Sequence, residues 1–466
     1  MTPSELAAAC AFITQQTNEI VDLIRRIVAI ESPSGDLEGS GGVVELLTEK
    51  ARALPSVNSI EAISSPNYGE HLLIRAFANQ DAHGSTLLLG HTDTVHPRGT
   101  VNPTEPLRAD GDKLYGPGVF DMKGACVLAL EALRCLANLD IEPPRPVTLL
   151  LTCDEESGSA TGRLLVEREA RRAAQVLVLE PPECGGCVKT SRKGVGLWTV
   201  EAHGIASHAG LNPEAGASAI LELARQTERL HSLSDASRGT TFNVGVVRGG
   251  TRSNVVAEKA SMEVDVRFKT AAEANRVEKL MNTLQPFDER VRFTTGGGIN
   301  RGPLERTAGV AKLFHHAQSI AAQLGWQLEE RSVGGASDGN FVAALNVPVL
   351  DGLGIDGFHA RGTSRAARAG VESTDRALAG SQSHDSGVFL AAARCFRDCC
   401  RDRLGKSTDD DDSGRYEKPL CAHDLLLLAP RGHAWLCRTG YFSEQERGRN
   451  TRLLQAAFIL SPWERA

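Results

Sequence analysis

The sequence is poor in aromatic residues and contains no long apolar run. Phe, Trp and Tyr make up 5% of the 466 residues. No apolar stretch approaches the roughly 18 residues that a transmembrane helix needs. Basic residues are also in deficit, because 51 Lys and Arg against 58 Asp and Glu give a formal charge of −7. Such a mildly acidic chain is a poor candidate for binding nucleic acid or a membrane surface, and we expect neither partner.

The amino terminus lacks the basic start and apolar block of a secretory signal peptide. Residues 1–26 show helical patterning instead, so we expect a cytoplasmic protein. The 11 cysteines are unevenly spread, and in the cytoplasm most of them would be free thiols. Cys184 and Cys187 have the spacing of a metal or redox pair, but no second pair lies near them, which favours a structural interpretation.

Helical and strand-like segments alternate over the first 190 residues. Apolar residues at helical spacing predict helices over 18–30 and 41–54. Three short apolar runs, at 85–90, 147–153 and 174–180, are typical of strands that are buried on both faces. The alternation predicts an α/β domain with a largely parallel sheet.

Residues 195–298 have a different pattern, with strict apolar and polar alternation at 260–268 and helical spacing at 214–231. The order strand, helix, strand, strand, helix, strand predicts a small antiparallel α+β domain. The α/β pattern returns over 304–362, so this small domain interrupts the first one. From about Thr363 small and charged residues dominate. We therefore predict four segments: the main domain over 1–192, the inserted domain over 193–300, the main domain again over 301–362, and an atypical tail over 363–466.

Residues that can bind a metal follow each of the three predicted strands of the main sheet. The carboxyl ends of parallel strands lie at one edge, where α/β sheets gather functional groups. Two further residues of this kind lie on a turn before a predicted helix and after a glycine-rich loop. Each could be structural on its own, for example as a helix cap. Their coincidence predicts one site made of His91, Asp93, Asp121, Glu155, Glu156, Glu180 and His359.

Histidines and carboxylates without cysteine suit a catalytic zinc site better than a structural one. Two metal ions about 3.5–4 Å apart share a bridging carboxylate and activate a water. Asp93 is two residues from His91 and could hydrogen-bond its imidazole. Glu155 is then left to transfer protons. Five residues supply the number of ligands that two ions need: His91, Asp121, Glu156, Glu180 and His359.

These residues lie in motifs that together resemble the dinuclear-zinc peptidase family of acetylornithine deacetylase, succinyl-diaminopimelate desuccinylase, aminoacylase and glutamate carboxypeptidase. The resemblance covers about residues 15–362. The motifs are GHTDTV at 90–95, LYGPGVFDMKG at 114–124, TCDEESGS at 152–159, LEP at 179–181, SHAG at 207–210, GGTRSNVV at 249–256, DVRF at 265–268, ASDGNFVA at 336–343 and GFHARG at 357–362.

The resemblance implies two bound Zn²⁺ ions, with Co²⁺ or Mn²⁺ as alternatives. It implies that His91, Asp121 and Glu180 bind one ion. Glu156 and His359 would bind the other, and Asp121 would bridge the two. The implied fold is a split α/β catalytic domain with a small inserted lid that mediates a homodimer.

Further roles follow from the same resemblance. Glu155 matches the general base, and His208 matches a histidine that reaches into the partner subunit's site and stabilises the oxyanion. Asn254 and Arg267 match residues that hold the substrate carboxylate, a task for which an arginine fork is well suited. Lys189 lies where the glutamate carboxypeptidase branch has a substrate-contacting lysine. Its alternative interpretation is a basic turn that joins two domains.

The resemblance therefore implies a zinc-dependent hydrolase of amide bonds in small carboxylate-bearing substrates, either N-acyl amino acids or short peptides. The segments VKTSRKGVG and GPGVFDMKG most resemble the glutamate carboxypeptidase branch. One alternative is a deacylase of the acetylornithine or succinyl-diaminopimelate type. Another is a catalytically impaired relative that acts as a binding module, but no expected ligand or base is missing.

The family pattern is lost after Gly362. We interpret the change near Thr363 as a shift of reading frame, and a lineage-specific extension is the alternative. The family normally ends in an amphipathic helix packed on the catalytic domain, and a helix over 387–398 could take its place.

Overall fold

The computed structural model describes residues 2–78, 84–111, 113–183, 185–358 and 387–389. Its helices are α1 (Pro3–Gln15), α2 (Thr17–Ala29), α3 (Leu37–Arg52), α4 (Gly124–Asn138), α5 (Gly162–Ala170), α6 (Ala219–Ser232), α7 (Ala271–Asn282), α8 (Ala308–Gln323) and α9 (Gly339–Ala343). Its strands are β1 (Val57–Ser65), β2 (Gly69–Ala76), β3 (Ser85–His91), β4 (Arg108–Asp110), β5 (Lys113–Tyr115), β6 (Val147–Thr152), β7 (Ala173–Val178), β8 (Val188–Arg192), β9 (Gly194–His203), β10 (Thr241–Gly249), β11 (Lys259–Phe268), β12 (Arg292–Arg301), β13 (Glu330–Val333), β14 (Val349–Leu350), β15 (Gly357–Phe358) and β16 (Gly387–Phe389).

The main sheet has six strands in the order β1-β2-β6-β3-β7-β14. β3 runs parallel to β6 and β7, and β14 runs parallel to β7. Both faces of the central strand β3 are covered, because Leu88 lies in one apolar core and Leu87 and Leu89 lie in another, and all three are fully buried. The predicted α/β fold with a largely parallel sheet is confirmed. The antiparallel strands β1 and β2 at one edge were not predicted.

Helices on the two faces of this sheet enclose the main core. α2 buries one apolar stripe that includes Ile20, Leu23, Ile24, Ile27 and Val28, as the helical spacing predicts. Each fully buried side chain of this size contributes about 1.5–3 kcal/mol relative to exposure. The stripe therefore holds α2 against α4 and the sheet.

A second unit has its own sheet, in the order β10-β11-β9-β12, with every neighbouring pair antiparallel. α6 and α7 pack on this sheet and bury a separate core around Trp198, Leu223 and Met281. We call β9 to β12 with α6 and α7 the insert, and the rest of the described chain the body. The chain leaves and re-enters the body at adjacent points, because Arg192 and Leu304 exchange two backbone hydrogen bonds of 2.9 and 3.0 Å.

Smaller sheets complete the body. β8 pairs with β13 in parallel, and β16 pairs with β5 and β15. The helix predicted from residue 387 is wrong over Gly387–Phe389, which form a strand. The remaining tail, with its proposed frame shift, lies outside the described residues. Among the helices that the structure describes, none is long and apolar enough to cross a membrane.

Candidate active site

His91 is the last residue of β3 and lies at the carboxyl edge of the main sheet with 1% of its surface exposed. Its Nδ1 lies 3.0 Å from the backbone oxygen of Asp93 and 3.3 Å from the Oδ1 atom of Asp93. Its Nε2 faces Asp121 Oδ1 at 3.2 Å and Glu180 Oε1 at 3.6 Å. With Nδ1 donating to Asp93, Nε2 is free to act as a ligand towards the two carboxylates.

Asp93 joins this histidine to the next strand end. β6 is followed by a single helical turn over Glu155–Ser157. The backbone N–H of Glu155 donates to Asp93 Oδ1 at 3.2 Å, and that of Glu156 donates to Oδ2 at 3.0 Å. The hydroxyl of Ser34 donates to Oδ2 at 2.5 Å. The buried carboxylate therefore fixes the turn that carries both glutamates, in addition to orienting His91.

Asp121 lies in an irregular turn over Val119–Lys123 that precedes α4. Its side chain is about one-eighth exposed, whereas the neighbouring Lys123 is almost fully buried. The Lys123 ammonium donates to the backbone oxygen of Ile30, and burial lowers the pKa of Lys123 to about 8. The turn is thereby tied to the end of α2 and presents Asp121 to His91.

Glu180 follows β7 and belongs to a buried charged triad. Arg192 Nη2 donates to Glu180 Oε2 at 3.3 Å. The same guanidinium forms a bidentate pair with Asp351, in which Nε–Oδ2 and Nη2–Oδ1 are both 2.7 Å. Burial raises the pKa of Glu180, but His91 and Arg192 outweigh that effect and hold it well below its usual value. Glu180 Oε1 is left facing His91.

The donor set of this cluster fits metal binding. One ligand atom each from His91, Glu155 and Glu180 lie within 4.8 Å of one another, and so do those of His91, Asp121 and Glu156. Burial lowers the pKa of His91, yet hydrogen bonds to three carboxylates raise it well above its usual value. The cluster contains more carboxylates than cationic side chains, so it favours a bound positive charge beside His91. Imidazole and carboxylate donors are those of catalytic zinc sites.

Glu155 differs from its neighbours in the cluster. Burial, together with the carboxylates of Glu180 and Asp338, raises the pKa of Glu155 to about 8 against the opposing charge of Arg301. Arg301 Nη2 donates to Glu155 Oε1 at 3.2 Å. A buried carboxyl group with a raised pKa beside metal-capable residues has the properties of a proton-transfer group.

Of the residues predicted to contact the substrate, His208, Asn254 and Arg267 lie on the insert, and Lys189 lies on β8 of the body. His208 and Asn254 are exposed on adjacent loops of the insert, where Ala209 N–H donates to the backbone oxygen of Asn254 at 3.0 Å. His208 Nδ1 accepts from the amides of Gly210 and Leu211, both at 3.1 Å. A neutral imidazole in this arrangement carries its proton on Nε2 and can donate it outwards.

Arg267 lies on β11, and its fork is held by Asp265 at 2.6 and 2.7 Å. Lys189 lies on β8 and is 7% exposed, and burial lowers its pKa. Its backbone exchanges hydrogen bonds with Asp351, so it borders the triad of Glu180 and Arg192. His359, predicted as a metal ligand, lies outside the described residues.

Sequence reasoning missed two contributors to the site. Arg301, the last residue of β12, was given no role, although it contacts Glu155. Asp338 lies in the ASDGNFVA motif without an assigned role, and it accepts from Arg301 at 3.0 Å. The motif was the available signal for Asp338. Nothing local distinguishes Arg301 from the other basic residues.

The predicted free thiols are confirmed for Cys10, Cys126, Cys135 and Cys153, all buried.

The chain is similar to known members of the family that its sequence motifs resemble. Carboxypeptidase G2 of Pseudomonas sp. (strain RS-16) is 29% identical over 74% of this chain and 83% of its own. Succinyl-diaminopimelate desuccinylase of Dechloromonas aromatica (strain RCB) is 27% identical over 71% of this chain and 89% of its own. The solved structure of aminopeptidase PepT from Bacillus cereus covers 81% of this chain and 95% of its own, with a TM-score of 0.61 at 18% identity, and so shares the fold.

The model of peptidase family M20/M25/M40 matches residues 87–379, which include the three strand ends of the cluster, the whole insert and the return to the body. The match extends past Gly362, where the family motifs recognised in the sequence end. The resemblance predicted from the motifs is confirmed. The chain belongs to peptidase family M20/M25/M40 and is a hydrolase of that metal-dependent family.

Proposed function

We propose that this protein hydrolyses an amide bond in a small substrate with a free carboxylate, in the manner of a glutamate carboxypeptidase. The observation that carries the proposal is the cluster at the carboxyl edge of the main sheet. One imidazole and four carboxylates converge there, and one of these carboxyl groups, Glu155, has a pKa that is raised to about 8, mainly by burial. That division between ligands and a proton-transfer group is what metal-assisted hydrolysis requires.

The proposed metal ligands are His91, Asp121 and Glu180 for one zinc ion, and Glu156 and His359 for the other, with Asp121 shared. When bound, the two ions would act as Lewis acids and lower the pKa of a water molecule. Co²⁺ or Mn²⁺ could serve instead of Zn²⁺. Asp93 would keep the His91 ring oriented through its contact with Nδ1.

The chain's own residues would move the proton and orient the substrate. Glu155 would take a proton from the attacking water and return it to the departing nitrogen. His208, from the insert of a partner subunit, would donate from Nε2 to the oxyanion. Asn254 and Arg267 would hold the substrate carboxylate. Arg267 would then exchange its contact with Asp265 for the substrate.

We propose that the body is the catalytic domain, formed by 1–192 and 301–362, and that the segment 193–300 is a lid and dimerisation domain. Large apolar side chains are exposed on this segment, among them Leu211 at 82%, and Leu221 and Val247 at 52% each. An exposed apolar surface of this kind supports a homodimer. The dimer and the cytoplasmic location stay predictions from the sequence.

The substrate class rests on similarity. The carboxypeptidase G2 relative supports a carboxypeptidase activity. The resemblance of the sequence motifs to the glutamate carboxypeptidase branch supports a substrate with a carboxyl-terminal glutamate, for which Lys189 would be a further contact. The desuccinylase relative supports the alternative of an N-acyl amino acid deacylase. Both alternatives use the same cluster, and they differ in the pocket that receives the side chain of the substrate.

The test measures zinc per chain and hydrolysis of an N-acyl-glutamate, a glutamyl dipeptide and N-acetylornithine. We expect about two zinc ions, cleavage that a chelator abolishes, and preference for a glutamate substrate. Glu155→Gln should keep its zinc and lose turnover by about 10²- to 10⁴-fold. Glu105→Gln, at an exposed position, is the matched control. Metal-loaded protein without cleavage of any substrate would instead identify a binding module.

A further inference from the structure

Arg301 connects the insert to Glu155. It is the last residue of β12 and pairs with Val195 of β9 in the register of the insert sheet. Its side chain leaves that sheet and enters the body, where 5% of the residue is exposed. The Nη2 atom lies 3.2 Å from Glu155 Oε1, 2.7 Å from Ser159 Oγ and 3.0 Å from Asp338 Oδ1.

The guanidinium of Arg301 is itself held at several points. Nη1 donates to Asn300 Oδ1 at 3.0 Å, and the guanidinium carbon lies 4.9 Å from the centre of the Phe341 ring. Asp338 is fixed in turn by the hydroxyls of Ser159 and Thr152. An arginine that is anchored at these four points holds its remaining contact, Glu155, in one place.

Glu155 depends on this contact for its orientation. Its backbone is fixed because its N–H donates to Asp93 Oδ1 at 3.2 Å. Within the described part of the chain, Arg301 is the one hydrogen-bond donor to the Glu155 carboxylate. The contact uses Oε1 and leaves Oε2 for a proton. Side-chain torsion is the remaining freedom of Glu155, and Arg301 restricts it.

The same contact depends on how the insert docks. Asn300 Nδ2 lies 3.5 Å from the backbone oxygen of Gly158, and Arg163 Nη1 lies 3.5 Å from the backbone oxygen of Asn300. The end of β12 is therefore seated on the turn that carries Glu155. Arg301 joins the two units, because its backbone belongs to the insert sheet and its guanidinium is held by Ser159 and Asp338 of the body. We propose that Arg301 is a positioning residue for Glu155 and makes the alignment of that carboxylate depend on the docking of the insert.

This inference rests on the proposed function, because it gives Arg301 a role only if Glu155 transfers protons. The order of the measurements distinguishes a failure of the proposed function from a failure of this inference. Wild-type protein that cleaves no amide substrate overturns the proposed function. Wild-type protein that cleaves, while Glu155→Gln does not, retains the proposed function and leaves Arg301 to be tested alone.

The test compares zinc content, kcat and KM of wild type, Arg301→Lys and Arg301→Ala. A misplaced catalytic group loses up to about 100-fold in rate. We expect Arg301→Lys to lower kcat about 10- to 100-fold, with KM within about twofold and zinc content unchanged. Added guanidinium ion should restore part of the kcat of Arg301→Ala at concentrations that leave the wild type unaffected.

Arg306→Lys is the matched control. Arg306 also pairs with a carboxylate, that of Glu330 at 2.7 Å, but its side chain is 43% exposed and has no part in the proposed site. We expect this variant to keep wild-type kcat. An unchanged kcat in Arg301→Lys would overturn the inference. So would a rise in KM alone, which would make Arg301 a substrate anchor, or a loss of zinc, which would make its role structural.

Discussion

Replacing Arg192 with methionine should destabilise the body, because Asp351 would become a buried carboxylate without its cation. Arg192 is 1% exposed and Asp351 is fully buried. Their bidentate contact has two distances of 2.7 Å. Removing one partner of such a pair costs about 3–5 kcal/mol. The Ser337 hydroxyl, 2.6 Å from Asp351 Oδ2, would remain as a donor, so we expect about 3–4 kcal/mol for Arg192→Met.

A double-mutant cycle measures this coupling. The variants are Arg192→Met, Asp351→Leu and the double replacement, and the measurement is urea unfolding of the metal-free protein. Asp351→Leu should be milder, because Arg192 keeps Glu180 at 3.3 Å. The double variant places two apolar side chains together and should lose less than the sum of the single losses, by at least about 2 kcal/mol.

Arg306→Met is the control for the cycle. Arg306 forms a bidentate pair with Glu330 at 2.7 and 3.0 Å, but the two side chains are 43% and 29% exposed. We expect a loss below about 1 kcal/mol there. Additivity of the Arg192 and Asp351 losses to within about 0.5 kcal/mol would refute the reasoning, because the two residues would then contribute independently.

Asp93→Ala should lower zinc affinity about 10- to 100-fold in a chelator competition titration, because Asp93 orients His91 and the Glu155 turn; unchanged affinity would contradict this role. Chelation should lower Tm, since ligands that bind the native state add about 4 kcal/mol at a thousand times Kd. A Tm that is insensitive to chelator would argue against a metal in the cluster. Glu273→Gln should destabilise the insert by about 1–2 kcal/mol at pH 7, a value limited by the partial exposure of its arginine partners. Hydrogen bonds from Arg276, Thr240 and Arg238 lower the pKa of Glu273 to about 2. The wild type is therefore more stable than Glu273→Gln above the unfolded pKa near 4.5, and this difference in the free energy of unfolding declines as the pH falls towards 2. An advantage that is the same at pH 6 and pH 3 in urea unfolding would show that the charge of Glu273 does not matter.

The strand ends of the main sheet were predictable because their signal is local. β3, β6 and β7 are short apolar runs; His91 ends β3, and Glu156 and Glu180 come a few residues after β6 and β7. A parallel sheet brings such ends together whatever the intervening loops do. The family motifs then supplied the roles of individual residues, which spacing alone left open. The structure brings ligand atoms of His91, Asp121, Glu155, Glu156 and Glu180 close together, and the roles of these residues stay predictions.

The two buried arginines of the site depend on contacts between distant parts of the chain. Arg301 and Glu155 are 146 positions apart, and Arg192 and Asp351 are 159 apart. Whether Arg301 is solvated or buried beside Glu155 is decided by how β12 docks on the body, and no local pattern reports that. β1 was missed for another reason. Its residues are mostly half-buried or exposed, so its apolar alternation is weak.

The reciprocal hydrogen bonds between Arg192 and Leu304 place the two ends of the insert side by side. The body therefore needs only a connection between two adjacent points, as a hairpin turn provides, although more than a hundred residues intervene. The insert can therefore be lengthened, exchanged for another module or shortened to a tight turn without breaking a strand of the main sheet. The body and the insert can accordingly diversify at different rates, provided that a replacement module reproduces the Arg301 contact and the proposed substrate contacts of His208, Asn254 and Arg267.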